Sequence, residues 1–443
     1  MKIGMISLGC AKNLVNSEQM AYRLKSKGCE IIDAYGAEEP DILIVNTCAF
    51  IESAQQEAID TILELSANNS GKIIATGCLP QLYGEQMLTE LPELSGIVGT
   101  GSFGDICAAV DAVTNGERPK IFGDIDAPAD ECGRLLSTGP GWAYIKIAEG
   151  CDNRCAYCLI PDIRGRFRSR PMENIVAEAE RLVRDGVREL IVVAQDISRY
   201  GLDFSGEYLL PELLRRLCRI EGLEWLRLHY LYPDEITDEL IDTVASEKKV
   251  LKYLDIPIQH INDKILASMN RRGTGGDIRR LITRLREKIP GLVLRTSVIA
   301  GLPGEGEAEF EELCEFLLEY KIERAGVFAF SPQEGTPAAE MPRPDDETTA
   351  RRVALLTEMQ ARICDEYNAG RIGQTIDVLG DAWQGSEERG EGIRGRSFAE
   401  SPDIDGYIHF EGDAVPGEFV KLRITGIEDG ELTGEVLPTQ SPA

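Results

Sequence analysis

The stretch EGCDNRCAYCLIP carries Cys151, Cys155 and Cys158 in the spacing Cys-x3-Cys-x2-Cys. Three thiolates in one short loop form a metal-ligand set that lacks a fourth member. A structural zinc site is closed by four ligands. The nearest other cysteines, Cys132 and Cys218, form no second knuckle, so zinc fits this loop poorly. A four-iron four-sulfur cluster offers one external position on each iron. Three cysteines therefore leave one iron open to a substrate or a cofactor. A second set is spread more widely: Cys10 in KIGMISLGC, Cys48 in DILIVNTC and Cys78 in GKIIATGC each close a run of apolar residues.

The elements around these residues explain how distant cysteines meet. Continuous apolar runs alternating with amphipathic helical stretches predict buried strands of a parallel α/β sheet. A helix starts near Asn13, with Leu14, Ala21 and Leu24 at helical spacing. Ligands of such sheets bind beyond the carboxyl ends of the strands. Cys10, Cys48 and Cys78 all sit there, which argues against three ordinary buried thiols. Residues 1–135 are expected to form this first unit. Residues 136–370 hold six further strands: AYIKIAE, ELIVVAQD, WLRLHYL, LKYLDIPIQ, LVLRTSVIAG and AGVFAFSP. Helical stretches separate them. In PMENIVAEAERLVRDG, Ile175, Ala179, Leu182 and Val183 form one stripe, Pro171 suits the first turn and Gly186 the stop. This rhythm predicts a partial (β/α)6 barrel whose site lies at the carboxyl ends of its strands, where the Cys151 loop falls. Residues 373–440 alternate apolar and polar residues between Gly- and Asp-rich turns in TIDVLG, DGYIHFEG and FVKLRITGI, as a small antiparallel β-barrel does.

The 443-residue chain has 47 basic and 75 acidic residues, a net charge of −28. That disfavours broad non-specific nucleic-acid binding, which needs a positive surface. No apolar run approaches the ~18 residues of a membrane span, and the N-terminus turns polar too early for a secretory signal. The expected location is the cytoplasm, where the twelve cysteines stay reduced rather than paired. Cys29, Cys107, Cys132, Cys218, Cys314 and Cys364 are read as ordinary thiols.

Cys151, Cys155 and Cys158, with Tyr157 before the last cysteine, resemble the motif of the radical S-adenosylmethionine enzymes. That resemblance implies a four-iron cluster whose open iron is chelated by the methionine end of S-adenosylmethionine. Reductive cleavage then yields a 5′-deoxyadenosyl radical that abstracts hydrogen; the protein supplies orientation and electronics. SLGCAKNLVNSE, VNTCAFIESAQQEAI and ATGCLPQLY are similar to the N-terminal domain of one branch, the methylthiotransferases. The match covers almost the whole chain. It implies a second four-iron four-sulfur cluster on Cys10, Cys48 and Cys78, whose open iron handles the transferred sulfur, and a C-terminal TRAM domain. Ala11, Leu82, Leu302 and Gly306 depart from the usual pattern, and none is an expected ligand.

The same resemblance marks cofactor contacts. Gln195 and Asp196 end a strand and are expected to reach the amino group or ribose of S-adenosylmethionine. Gly301, Gly304 and Glu305 in AGLPGE suit close approach to its nucleoside. Arg295, inside a strand, needs a partner: the cofactor carboxylate or a buried acid. His229 and His260, at strand ends, read as hydrogen-bonded structural histidines. Arg164, Arg166, Arg168 and Arg170 form either surface ion pairs or a positive wall for a carboxylate.

Two methylthiotransferase subfamilies compete, one acting on an adenosine of transfer RNA and one on the β-carbon of an aspartate in small-subunit ribosomal protein twelve. LDIPIQH, SLGCAKNLVNSE and GRSFAESPDIDG are more similar to the second. From 373 to 443 there are 15 acidic and 5 basic residues, net −10. An RNA-gripping barrel should be basic, and ribosomal proteins are basic, so complementary charge favours the protein substrate. Further expected partners are a reductant such as flavodoxin or ferredoxin and a sulfur donor. Metal analysis separates a non-catalytic iron–sulfur or zinc scaffold from the enzyme.

Overall fold

A computed structural model describes all residues except 129–130, 387–389, 413 and 439–443, and the side chains of 382–386 and 390–393. The first sheet contains β1 (Lys2–Ser7), β2 (Glu30–Ile32), β3 (Ile42–Thr47), β4 (Lys72–Gly77), β5 (Leu94–Val98) and β6 (Lys120–Ile121). Its order is β2-β1-β3-β4-β5-β6, and all its pairs are parallel. Every residue of β3 is buried, as a strand covered on both faces requires. The expected β1, β3 and β4 are therefore neighbours. The pattern gave no sign of β2, β5 and β6: two are very short, and Gly96 interrupts the third.

The helix expected near Asn13 begins at Ala11 and ends at Ser26. Met20 and Leu24 pack under the first sheet. Val15, with Ala11 and Leu14, packs instead on Trp142, Tyr144, Ile191 and Val193 of the second sheet. This double burial explains why Lys12, Asn13, Asn16, Ser17, Glu18 and Gln19 are buried although polar.

The second sheet is the expected partial barrel. Its strands are β7 (Trp142–Lys146), β10 (Glu189–Val193), β11 (Trp225–Leu228), β12 (Val250–Asp255), β13 (Val293–Ala300) and β14 (Arg324–Ala329). They lie in consecutive parallel order from β7 to β14, and the sheet stays open between those edges. The helix Met172–Arg184 buries Ile175, Ala179 and Leu182 as the stripe required, and Gly186 follows it at φ +103°. Three strands end earlier than their apolar runs. AYIKIAE breaks after Lys146, and its last two residues form β8 (Ala148–Glu149), which pairs with β9 (Arg168–Ser169). WLRLHYL leaves the sheet at His229 because Tyr230 turns to φ +64°. LKYLDIPIQ ends at Asp255; Pro257 follows, and Gln259 keeps one bridge to Val298.

The C-terminal unit is a closed barrel of β15 (Thr375–Ser386), β16 (Gly390–Arg396), β17 (Ile408–Glu411), β18 (Phe419–Glu428) and β19 (Glu431–Val436). Its pairs are antiparallel, as expected, except the parallel β17–β19 pair that closes it. Its loop 397–406 reaches into the second sheet. Glu189 accepts from Arg227 Nε and Arg396 Nη1, both at 2.7 Å. Arg227 also donates to the carbonyls of Phe398 and Ser397. All three charged side chains are fully buried.

Candidate active site

Cys10, Cys48 and Cys78 stand just past β1, β3 and β4, three adjacent strands of one parallel sheet. Asn13 stitches these ends together, donating from Nδ2 to the carbonyls of Leu8 (3.0 Å) and Thr47 (2.9 Å). Thr47 Oγ1 donates to the Thr76 carbonyl at 2.7 Å and accepts from Leu79 N at 3.2 Å. Gly9 at φ +85° lets Cys48 approach: a Cβ there would lie 2.9 Å from its Sγ. Cys10 caps the helix Ala11–Ser26. Burial alone would raise its pKa, but Lys12, Arg164 and the N–H groups of Asn13 and Lys12 outweigh that and lower it. Burial pushes Cys48 up to about 11, with Cys10 and Cys78 adding to the effect.

The second trio lies in the loop after β8. Cys158 N donates to the Cys155 carbonyl at 3.0 Å, and Cys158 Sγ accepts from Ile160 N at 3.4 Å. Arg271 donates to Tyr157 Oη at 3.1 Å and to the Pro257 carbonyl at 2.7 Å, with Cys155 Sγ 3.8 Å away. Its guanidinium lies over the Tyr232 ring. Arg154 in this loop and Gln259 and Tyr230 at strand ends all hold positive φ without being glycine, a backbone strain that clusters at functional sites.

Arg164 ties the first trio to the segment that leads into the second. It ends the short helix Ile160–Arg164 that follows the Cys151 loop. Its Nη2 donates to Asn13 Oδ1 and to Cys78 Sγ, the latter at 3.3 Å. Its Nη1 lies 3.5 Å from Glu149 Oε1. Glu149, two residues before Cys151, also accepts from Lys146 Nζ and Gln195 Nε2, both at 2.7 Å. These cations and the amide hold its carboxyl well below the ordinary range despite burial. The carboxyl edges of the two sheets therefore meet at this guanidinium, with Cys78 on one side and Glu149 on the other.

The other expected contacts divide. Gln195 keeps Oε1 buried with no donor among the described residues. Asp196 accepts from Asn153 Nδ2 at 2.9 Å and from Ser198. Tyr157 packs with Ala156, Ile265, Met269 and Leu302. Gly301 and Gly304 both hold positive φ. Glu305 ties the turn together, accepting from Gly301 N (3.0 Å) and Arg352 Nη1 (2.7 Å), with His260 Nε2 at 3.3 Å. Arg295 has internal partners, Asp255 at 2.8 Å and Asp405 at 3.7 Å. His229 hydrogen-bonds Ser401 Oγ at 2.9 Å. Of the basic run, Arg170 pairs with Glu131 and Glu178 and Arg168 lies near Asp126, which leaves Arg164 to the cysteines. Glu149, Asn13 and Arg271 escaped the sequence reading; only their closeness to cysteine motifs, or the NRRG turn, hinted at them.

Among the described residues, no three His, Cys, Asp or Glu side chains converge as ligands of a single ion do. A four-iron cluster asks for something else, one thiolate on each of three separate irons. Spread thiols flanked by cations and backbone N–H groups fit that demand.

Residues 145–317 match the Radical SAM superfamily, residues 2–99 the Uncharacterized protein family UPF0004 and residues 372–437 the TRAM domain. A solved radical S-adenosylmethionine methyltransferase, TsrM from Kitasatospora setae, shares the fold at a TM-score of 0.58 and 16% identity, covering 76% of this chain and 74% of that one. Fold and sequence together define a radical SAM enzyme. The ribosomal protein uS12 methylthiotransferase RimO of Geobacter sulfurreducens is 47% identical, covering 98% of both chains. Those of Pelotomaculum thermopropionicum and Acetivibrio thermocellus are 46% and 44% identical, covering 98% and 99% of this chain and 99% of each of theirs. The chain belongs to the RimO methylthiotransferase family.

Proposed function

We propose that the chain adds a methylthio group to the β-carbon of an aspartate of ribosomal protein uS12. The observation that carries this is the Arg164 contact, which sets one cysteine trio against the loop of the other. In this reading Cys151, Cys155 and Cys158 hold one four-iron cluster, and Cys10, Cys48 and Cys78 the other. Bound there, the clusters and S-adenosylmethionine supply hydrogen abstraction and sulfur delivery. The protein supplies position. Asn13 and Thr47 fix the first trio, and Arg271 and Asn153 brace the loop of the second. Gln195 Oε1 is a buried acceptor, suited to the cofactor's amino group. Asp196 is already held by Asn153 and Ser198, and so braces the loop. Tyr157, Gly301 and Gly304 shape the cofactor's bed, with Glu305 fixing the turn. Arg295 acts through Asp255 and Asp405 rather than through the cofactor.

The units 1–135, 136–370 and 373–440 then divide the work into sulfur delivery, radical generation and docking. Three described basic residues of the C-terminal barrel are already engaged. Arg396 is buried on Glu189, Lys421 pairs with Asp377 at 2.7 Å, and Arg394 stacks on Tyr407. The remaining acidic surface suits a basic ribosomal protein better than RNA. Among the described residues no helix is long and apolar enough to cross a membrane. A cytoplasmic location, a flavodoxin- or ferredoxin-like reductant and a separate sulfur donor complete the proposal.

The test is a competition under anaerobic conditions. Reconstituted, reduced enzyme receives S-adenosylmethionine, sulfide, the ribosomal protein and unmodified transfer RNA together. Mass spectrometry is expected to find the methylthio group on an aspartate of the protein. Its appearance on an adenosine overturns the reading.

A further inference from the structure

β14 is an open edge of the partial barrel. Side chains alternate along a strand. Val327 packs outward on the core under the helices, so Gly326 and Phe328 face the lumen. At the start of the strand the lumen is filled: Arg324 pairs with Glu400 of the C-terminal loop at 3.1 Å. Phe328, nearer the carboxyl end, stays 46% exposed. Its ring folds back over Gly326, where a Cβ would lie 2.9 Å from it, so the bare glycine seats the ring. Its register partner Ile299 shares an apolar cluster with Tyr157, next to Cys158. The segment after β14 then touches the first sheet. Glu52 N donates to Ser331 Oγ at 3.5 Å, and Gln55 Nε2 donates to Gln333 Oε1 at 2.9 Å. Tyr83 Oη donates to Gln55 Oε1 at 2.7 Å. Two more aromatic rings stand out at this junction: Phe50, two residues past Cys48, is 43% exposed and Tyr83 is 38% exposed. Glu52 and Glu334 are exposed here too, and no cation pairs with either carboxylate among the described residues. Partial burial, then the charges of Glu334, Glu90 and Glu52, push the Tyr83 phenol up, which places these acids around its ring.

A single exposed aromatic needs no explanation. Three of them at one junction, within a few residues of loops from both cysteine sets and accompanied by two unpaired acids, do need one. In the proposed reaction the acceptor lies between the two sets, so the residues beside it must cross a rim of the site. The sheet is open at β14, and this junction is that rim. We propose that it receives the segment of the ribosomal protein next to the acceptor aspartate, with basic side chains stacked on Phe50, Tyr83 and Phe328 and paired with Glu52 and Glu334. Aromatic faces beside carboxylates recognise lysine and arginine by two additive attractions, the ring quadrupole and the ion pair. The same acids repel a phosphate backbone, which needs a positive surface. The inference rests on the methylthiotransferase reading and deepens it. The C-terminal barrel holds the body of a basic substrate, and this junction sets which of its residues reaches the site.

The experiment uses the full-length protein with both clusters reconstituted. Wild type, the double variant Glu52→Gln with Glu334→Gln, and the double variant Phe50→Leu with Phe328→Leu are assayed on the ribosomal protein. The same three enzymes are assayed on a ribosomal protein whose lysines and arginines flanking the acceptor are replaced by glutamine. Iron content, S-adenosylmethionine affinity and transfer RNA binding are measured in parallel. Each enzyme variant should raise KM for the natural protein about 5- to 30-fold. On the glutamine-bearing protein the variants should change KM little, because the partner charge is already gone. Iron should stay at about eight per chain, and cofactor affinity should hold. Unchanged KM in both variants overturns the proposal, and so do losses that simply add when enzyme and substrate are altered together. A fall in cofactor affinity with KM for the protein unchanged assigns Phe328 to the cofactor and overturns it. Loss of about four irons from the phenylalanine variant, with the glutamate variant silent, assigns Phe50 to the first trio and overturns it. Altered transfer RNA binding with KM for the protein unchanged gives the surface another occupant and overturns it as well. Failure of wild type to modify the ribosomal protein at all is a different result: it removes the functional reading, and this proposal with it.

Discussion

Replacing Arg164 with methionine removes the cation that bridges Cys78 and Glu149 while keeping most of the side-chain volume. The variant leaves Glu149 with Lys146 and Gln195 as partners, so the neighbouring acid is not stranded. The consequence should fall on the cluster proposed for Cys10, Cys48 and Cys78. Arg164 donates to Cys78 Sγ at 3.3 Å. Reduction adds one negative charge to a cluster on that thiolate. A unit charge felt at roughly 6 Å through an effective dielectric of about 20 is worth about 3 kcal/mol. Delocalisation of the electron over the cluster brings the useful range to about 1–3 kcal/mol. For one electron, at about 59 mV per tenfold, that is about 40–130 mV. The midpoint potential should move down by this amount, because the reduced form loses its stabilising cation. Arg164→Lys keeps the charge and should move less. The assay is a redox titration followed by electron paramagnetic resonance. Cys151, Cys155 and Cys158 are replaced by alanine in that background, so that only the other cluster reports. A midpoint within about 20 mV of the parent, roughly a twofold effect, would refute the electrostatic role given to Arg164.

The same triple alanine background should bind about four irons where the parent binds about eight; full iron retention in a colorimetric assay would dismiss the Cys151 loop as a cluster site. Glu189→Ala leaves Arg227 and Arg396 buried without their shared acid, and should destabilise the chain by about 3–5 kcal/mol in urea unfolding. Glu189→Gln, which keeps an acceptor, should lose less. Glu400 is buried between Arg371 and Arg324 and accepts from Ser397; these partners outweigh its burial and hold its carboxyl down at about 2. Its folded pKa lies below the unfolded value, so its stabilisation is present above about pH 4.5 and fades as pH falls toward 2. The total at stake is about 3 kcal/mol. Glu400→Gln should therefore flatten the acid limb of the stability profile between those values, and an unchanged limb would count against the argument. Salt should weaken binding of the basic ribosomal protein to the enzyme, and an affinity that stays flat across a sodium chloride titration would remove the acidic barrel from the docking model.

The cysteine trios were legible because a parallel sheet turns a repeated local event, a thiol after an apolar run, into a shared location. No pairwise distance was needed: β1, β3 and β4 are adjacent, and their ends coincide. The six-strand partial barrel was legible for the same reason. The short strands of the first sheet were not, because β2 and β6 carry too few residues to show a period. Strand ends were misread where a single backbone angle or proline stops a ladder that the apolar run continues, as at Tyr230 and Pro257.

Charged partners were the least legible. Arg295 lies in a strand whose sequence says only that a buried charge needs an anion; its partner could be named only once β12 had brought Asp255 alongside and the C-terminal barrel had brought Asp405 across. Arg164 belonged to a run of four arginines that the sequence left open between surface ion pairs and a positive wall for a carboxylate. The chain turns at Gly165, held at φ +74°, so neighbouring arginines end on different partners. Arg164 meets Cys78 and Glu149, Arg168 lies near Asp126 and Arg170 pairs with Glu131 and Glu178, and composition alone could not sort them.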